Sequence, residues 1–148
     1  MAASCRQAAL RFLKIRPRSV AEIKERLEIK GFQAQEIDET LQWLQNTKLL
    51  DDRIFTKSWI QYRLARPFGF RRIIAELKAK GIDQALIEEA VGAARGETDE
   101  ALTALALAKR RWQRLQGIEL QKKKKRMYDF LIRRGFGMDV VMKVVKQL

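Results

Sequence analysis

The side chains best suited to chemistry in this chain are basic, and they gather towards its C-terminus. Four consecutive lysines and an arginine occupy residues 122–126, without interleaved glutamate. Because four successive residues cover every side of a helix, at least one, which we expect to be Lys124, must extend from a half-buried site. The missing acids favour phosphate contact over a solvated surface. The predicted contacts here are Lys122, Lys123, Lys124, Lys125, Arg126, Arg133 and Arg134.

The distribution of charge supports a polyanionic partner. The formal net charge is +13, and residues 1–50, 51–100 and 101–148 hold 9 basic and 6 acidic, 9 and 9, and 13 and 3 side chains respectively. An excess of this kind most often meets nucleic acid, so we expect the C-terminal third to dominate the contact. Further contacts are predicted in or just before helices of the first two thirds, at Arg16, Arg18, Arg66, Arg71 and Arg72.

Side chains arranged for catalysis, metal binding or nucleotide binding are not evident. Asp51 and Asp52 are adjacent, so on a helix they diverge by about 100°, and we interpret them as helix caps rather than an acid–base pair. One cysteine, Cys5, and no histidine exclude a Cys–His zinc site and an internal disulfide. No nucleotide-binding glycine pattern occurs. The sequence therefore predicts a protein that is not an enzyme, needs no cofactor and acts in a reducing cytoplasm.

The elements that must position these residues repeat three times. Five positions can be compared around each of Gly31, Gly81 and Gly135. They lie four and eight residues before the glycine and six, ten and thirteen residues after it, and all fifteen hold apolar residues. A glycine between two such periods predicts a helix, a left-handed glycine turn and a second helix, with a further helix in front. We predict an all-α fold of three tandem three-helix repeats over residues 1–48, 49–97 and 98–148, in an elongated array with or without curvature.

Local signals refine this prediction. Ser19 and Glu22 match a capping box for the middle helix of the first repeat. The first helix, over residues 4 to about 14, is expected to bury Leu10 among other apolar residues, and Trp43 is expected to be partly buried. The last two glycines are four residues further apart than the first two, and we place that extra turn in the first helix of repeat three or the loop after it.

Two features could indicate reading of DNA bases, and both have simpler explanations. Each helix–turn–helix resembles a DNA-reading motif, but the helix after the turn is acidic in two repeats, which disfavours sequence-specific reading. That acidic side could instead meet a protein or preserve solubility. The larger aromatic residues are more typical of core and inter-repeat packing than of base stacking: Trp43, Trp59, Trp112 and Tyr128.

Targeting signals are weak. No apolar run reaches the ~18 to 20 residues that cross a bilayer, so no membrane contact is expected. The N-terminus has no acid before Glu22 and superficially resembles a transit peptide, but the same residues are needed for the first helix.

The chain resembles the RecX family, the bacterial regulators of the RecA recombinase. The resemblance spans nearly the whole chain through several short pieces, which are Arg18-Ser19 with Glu22 and Leu27, Leu49-Leu50-Asp51-Asp52 with Phe55 and Arg63, Gly69 with Glu76-Leu77 and Lys80-Gly81-Ile82, and Arg133-Arg134-Gly135-Phe136. A mild departure is Thr56, where the family prefers alanine, and the N-terminal tail before the first helix is short.

The resemblance implies an elongated array of three-helix units that lies along the groove of a RecA–DNA filament and lowers its ATPase, strand-exchange and co-protease activities. We expect the chain to act as a monomer. It also implies direct binding to single- or double-stranded DNA. The alternative is a basic nucleic-acid-binding module without a recombinase partner, and a third possibility is a pure protein adaptor without salt-sensitive DNA affinity.

Overall fold

The computed structural model describes residues 3–148. These residues form nine α-helices and no strand: α1 (Cys5–Ile15), α2 (Val20–Ile29), α3 (Ala34–Asn46), α4 (Asp52–Leu64), α5 (Phe70–Ala79), α6 (Gln84–Glu97), α7 (Glu100–Trp112), α8 (Leu120–Arg133) and α9 (Met138–Lys146). The predicted all-α architecture of three tandem three-helix repeats is confirmed. None of the helices within this described range is long and apolar enough to cross a bilayer.

The described residues form two compact units, each with its own apolar core. The first unit runs to Ser58 and includes Leu77–Ile87, and the second comprises Trp59–Glu76 and Glu88–Leu148. Of the fifteen apolar repeat positions, thirteen are buried, and Val145 and Leu148 pack partly buried against the core of the second unit. The 3.6-residue period therefore identified the buried side of these helices correctly.

Helix starts follow the predicted capping chemistry. The hydroxyl of Ser19 accepts the amide of Glu22, whose carboxylate in turn accepts the amide of Ser19, so the capping box is confirmed. Asp51 accepts the amides of Arg53 and Ile54 at 2.9 and 3.3 Å, as expected of a cap rather than a catalytic pair. Each bond satisfies an amide that has no partner within the helix.

Two expectations about the helices were wrong. The extra turn of the third repeat lies in α8, which is 14 residues long, whereas α2 and α5 are each 10 residues long. The first helix of the repeat, α7, is not lengthened, because it has 13 residues, as many as α4. Part of the lysine run therefore lies on a turn without a counterpart in the other middle helices. Leu10 is 38% exposed, because the core of the first unit accommodates Ala8 and Ala9 on that part of α1. The expected partial burial of Trp43 is confirmed.

In the first unit, the start of α2 packs against the glycine turn that ends α5. The hydroxyl of Ser19 donates to the carbonyl oxygen of Lys80 at 2.6 Å. Gly81 has φ +75°, and a Cβ built there would overlap the Cβ of Ala21. Glycine is needed here both for its positive φ and for the close approach of another helix.

The second unit contains an equivalent junction, between the start of α5 and the turn that ends α8. The amide of Gly69 donates to the carbonyl oxygen of Arg134 at 2.8 Å. The amide of Arg71 donates to the carbonyl oxygen of Gly135 at 3.0 Å. A Cβ on Gly135 would overlap Arg72, and one on Gly69 would overlap the backbone of Gly135. The two chain segments are therefore in direct backbone contact.

A carboxylate completes each junction. The amide of Val20 donates to Asp52 at 2.8 Å, and the amide of Phe70 donates to Glu100 at 3.4 Å. Burial raises the pKa of both carboxyl groups, and this effect is larger than the lowering of the pKa by the two hydrogen bonds. The sequence had indicated only a capping role for such residues, and the long-range bonds were not predicted.

Candidate nucleic-acid interface

Three arginines of the second unit converge on one buried ring. The guanidinium carbons of Arg63, Arg72 and Arg134 lie 4.9, 4.4 and 4.7 Å from the ring centroid of Phe68, which is 9% exposed. Cations prefer the face of an aromatic ring, and the buried ring holds their positions in a small area. We call these three residues, together with Arg111 beside the ring of Phe130, the arginine cluster.

The cluster is assembled by residues that are far apart in the sequence. Arg63 lies in the last turn of α4, Arg72 in the first turn of α5 and Arg134 at the C-terminal end of α8. The backbone bond from Gly69 to Arg134 brings the α5 start to this end of α8. Because any side chain on Gly69 would overlap the facing backbone, the absence of a Cβ there permits the arrangement.

One carboxylate holds two of these arginines. Glu76 accepts the Nε of Arg63 at 2.8 Å and the Nε of Arg72 at 3.2 Å, and also the indole N–H of Trp59 at 3.0 Å. A terminal nitrogen of Arg72 donates to the carbonyl oxygen of Arg133 at 3.4 Å. These bonds fix the directions of the guanidinium groups while leaving the cluster with an excess of positive charge.

The charged neighbours that influence Arg134 are themselves positive. Burial lowers the pKa of Arg134 first, and the positive charges of Arg72 and Arg111 lower it further. The guanidinium carbon of Arg111 lies 4.1 Å from the ring centroid of Phe130, and that of Arg134 lies 5.6 Å from the same centroid, so both cations contact one ring. Like charges gathered in this way favour a bound anion, and planar guanidinium groups suit phosphate oxygens.

The lysine run lies in the N-terminal half of α8. Lys122, Lys125 and Arg126 are exposed, whereas Lys123 and Lys124 are partly buried, which confirms the expectation for Lys124. The ammonium of Lys123 lies 4.1 Å from the ring centroid of Trp112, and Lys125 pairs with Asp129 at 3.1 Å.

This run is placed where it weakens its own helix. The first turn of α8 has no acidic residue, and its N-cap Glu119 makes no side-chain cap hydrogen bond. Positive side chains near a helix N-terminus are repelled by the partial positive charge of the helix dipole there. A bound anion would be attracted by the lysines and by the dipole. The position therefore favours a role in binding over a role in stability.

The remaining predicted contacts differ in their surroundings. Arg66 lies in the second unit, 4.2 Å from the ring centroid of Tyr62, and Arg71 and Arg133 are exposed there. Arg16 and Arg18 belong to the first unit, where Arg16 bonds to Glu22 at 2.6 Å.

Arg18 is only 8% exposed, and its Nε donates to the carbonyl oxygen of Phe12 at 3.3 Å. Burial is the first cause of its lowered pKa. Its bond to the end of α1 indicates a structural role, so we leave Arg18 out of the candidate interface.

Arg63 and Arg111 belong to the cluster but were not predicted as contacts. For Arg111 a signal was available, because Lys109, Arg110 and Arg111 form a second basic run. Arg63 carried no such signal, since its importance depends on Phe68 and Glu76, which lie on the following segment and helix.

Comparison with known proteins identifies the three repeats. Family models described as the first, second and third three-helix domains of RecX match residues 5–44, 51–91 and 98–145. The chain belongs to the RecX family. The resemblance based on the short pieces quoted above is thereby confirmed, and RecX is a family of regulatory proteins.

RecX relatives match this chain along most of its length. The regulatory protein RecX of Legionella pneumophila (strain Corby) is 32% identical over 142 residues, covering 95% of this chain and 92% of that protein. That of Prosthecochloris aestuarii is 30% identical over 141 residues, covering 95% and 90%. The crystal structure of RecX from Lactobacillus salivarius has a TM-score of 0.83 over 97% of this chain and 94% of its own, and at 22% identity it shows the shared fold.

Proposed function

We propose that this RecX-family chain regulates RecA recombinase by binding the RecA–DNA filament along its groove. Bound there, it lowers the ATPase, strand-exchange and co-protease activities of the filament without being an enzyme itself. The observation that carries the proposal is the match of three RecX domains, in order, along almost the whole chain. We further propose that it acts as a cytoplasmic monomer, with repeats over residues 1–48, 49–97 and 98–148.

The binding energy is divided between DNA and protein. Phosphate contacts come from the arginine cluster and the lysine run, both of which carry excess positive charge within the second unit. Arg16, Arg66, Arg71, Arg126 and Arg133 supplement them. Other surfaces contact RecA protomers. Once one contact has formed, the next is effectively intramolecular, so several modest contacts give strong overall binding.

A titration of filament ATPase tests the proposal. The chain is added to preformed RecA filaments on single-stranded DNA, and its affinity for the same bare DNA is measured in parallel. ATP turnover should fall at concentrations well below those that coat the bare DNA. Inhibition that appears only when bare DNA is saturated would instead support the alternative, a basic nucleic-acid-binding module, which the arginine cluster also favours.

The contribution of the arginine cluster can be tested separately. The double variant Arg72→Gln with Arg134→Gln should bind DNA more weakly, and the slope of log affinity against log salt should decrease by about 2, since each phosphate contact contributes about 0.9. Lys143→Gln with Lys146→Gln removes the same charge from exposed positions of α9 and is the matched control. Equal effects of both pairs would show that only net charge matters.

A further inference from the structure

The three glycine turns that end α2, α5 and α8 have the same backbone geometry. Gly31, Gly81 and Gly135 have φ of +89°, +75° and +94°. In each turn the glycine amide bonds to the carbonyl oxygen three residues earlier, and the next amide bonds to the one five residues earlier, at 2.9 to 3.3 Å. The three turns therefore offer the same shape and the same outward backbone groups to a neighbour.

Two of these turns are covered by the start of a helix from the same unit. The carbonyl oxygen just before Gly81 accepts the Ser19 hydroxyl, and the one just before Gly135 accepts the Gly69 amide. In both, the arriving helix has a small cap residue, serine or glycine, which permits the close approach. The residue after each glycine is then buried, with Ile82 at 6% and Phe136 at 1% exposure.

The third turn is open. Among residues 3–148, no atom lies within 4 Å of the position of a Cβ on Gly31. Phe32, the counterpart of Ile82 and Phe136, is only partly buried, and Ile29 is 71% exposed. A cavity of about 390 Å³ adjoins the turn, lined by Phe32, Ala34 and Ile37 and by Lys24, Glu28 and Asp38. This turn has the receiving half of the junction without the helix start that fills the other two.

We propose that the Gly31 turn receives the first turn of an α-helix from the protein component of the filament. The chemistry of that partner follows from the two covered turns, in which a helix start with a small cap residue donates a hydrogen bond to the carbonyl oxygen preceding the glycine. The exposed Ile29 and the half-exposed ring of Phe32 add apolar area at the rim. The inference rests on the proposed function and assigns one protein contact within it.

The middle helices of a second copy of this chain fit the open turn less well. The starts of α2 and α5 are already engaged in their own units, and α8 begins after Glu119, a large acidic cap. The lysines that follow Glu119 would also meet Lys24 and Lys30 beside the open turn. The mixed charges and apolar rim likewise suit a protein partner better than DNA.

Two paired substitutions test the contact. Ile29→Glu places a charge at the rim of the open turn, and Ile15→Glu makes the same change at a 75% exposed position at the end of α1. We expect Ile29→Glu to raise the concentration for half-inhibition of filament ATPase by about tenfold, as for loss of an apolar anchor at an interface. Ile15→Glu should change it less than twofold, and both variants should keep wild-type helicity and DNA affinity.

A photo-crosslinker placed at residue 29 or at residue 15 provides an independent measurement. We expect crosslinking to RecA in preformed filaments from residue 29, to a peptide that contains a helix start, and much less from residue 15. Equal effects at the two positions, or crosslinking of residue 29 to a second copy of the chain, would overturn the inference while leaving the proposed function standing. A wild-type chain without effect on filaments would overturn the proposed function as well.

Discussion

Gly81→Ala should destabilise the protein more than Gly31→Ala, although both glycines end a middle helix with positive φ. The difference lies in their neighbours within the first unit. A Cβ on Gly81 would overlap the Cβ of Ala21, whereas no atom of the described residues lies within 4 Å of the same position on Gly31. The pair therefore separates the contribution of backbone conformation from that of close helix approach.

The expected magnitudes follow from these two terms. A left-handed conformation costs a residue with a Cβ about 1–2 kcal/mol, and reduced freedom of the unfolded chain offsets about 0.4–1 kcal/mol of this, so Gly31→Ala should lower the free energy of unfolding by about 1 kcal/mol. Gly81→Ala should lose the same free energy for the backbone conformation and, in addition, about 1–3 kcal/mol for the overlap with Ala21. Its total loss should be roughly 2–4 kcal/mol.

Urea unfolding followed by circular dichroism measures both values. Both substitutions lie in the first unit, so they report on the same part of the molecule. A double-mutant cycle with Ala21→Gly isolates the overlap, because that change removes the methyl group that Gly81→Ala would meet. Ala21→Gly alone should cost about 0.5–1 kcal/mol, since glycine is unfavourable in a helix.

In the Ala21→Gly background, Gly81→Ala should cost little more than Gly31→Ala does in the wild type. Equal losses for the two glycine variants would refute the claim that helix packing requires Gly81. An unchanged cost of Gly81→Ala beside Ala21→Gly would refute the assignment of the overlap to this methyl group.

Three further predictions concern charge and local strain. Asp52→Asn keeps an acceptor for the amide of Val20 and removes a partly buried charge, so it should raise the free energy of unfolding at pH 7. Because burial raises the pKa of Asp52, wild-type stability should increase as pH falls through that pKa, and the advantage of the variant in pH-dependent unfolding should shrink. Lys48→Gly removes a side chain at φ 61° and should raise the free energy of unfolding by about 1 kcal/mol in urea titrations. Replacing Lys122–Lys125 with glutamate should preserve helicity but weaken DNA binding and decrease its salt slope by up to about 4, measured by fluorescence anisotropy; unchanged affinity would exclude the run from the interface.

Much of the fold could be predicted because its signals are local. The spacing of apolar residues around each glycine predicted the helices and their buried sides, and Ser19 with Glu22 predicted a cap that the structure contains. Such features depend on hydrogen bonds and side-chain contacts within a few residues, which a single sequence expresses directly. The extra turn of the third repeat was harder, since an added turn preserves the apolar period wherever it is inserted.

The candidate interface was only partly predictable. Runs of basic residues in the sequence indicated the lysines of α8 and Arg133 with Arg134. The grouping of Arg63 with Arg72 and Arg134 around Phe68 could not be read in this way, because it depends on which helix ends meet. For the same reason Arg18 resembled a binding residue in the sequence, although the structure directs it to Phe12.

The amino-acid sequence by itself determined three repeats, their glycine turns, the helix caps at Ser19 and Asp51, and a strongly basic last third. The tertiary structure decided which turns are covered, which arginines share one ring and one carboxylate, and that the turn at Gly31 stays open. The physical reason is the range of the forces involved. Helical periods and caps arise between neighbours in the chain, whereas the junctions and the arginine cluster arise only when distant segments pack together.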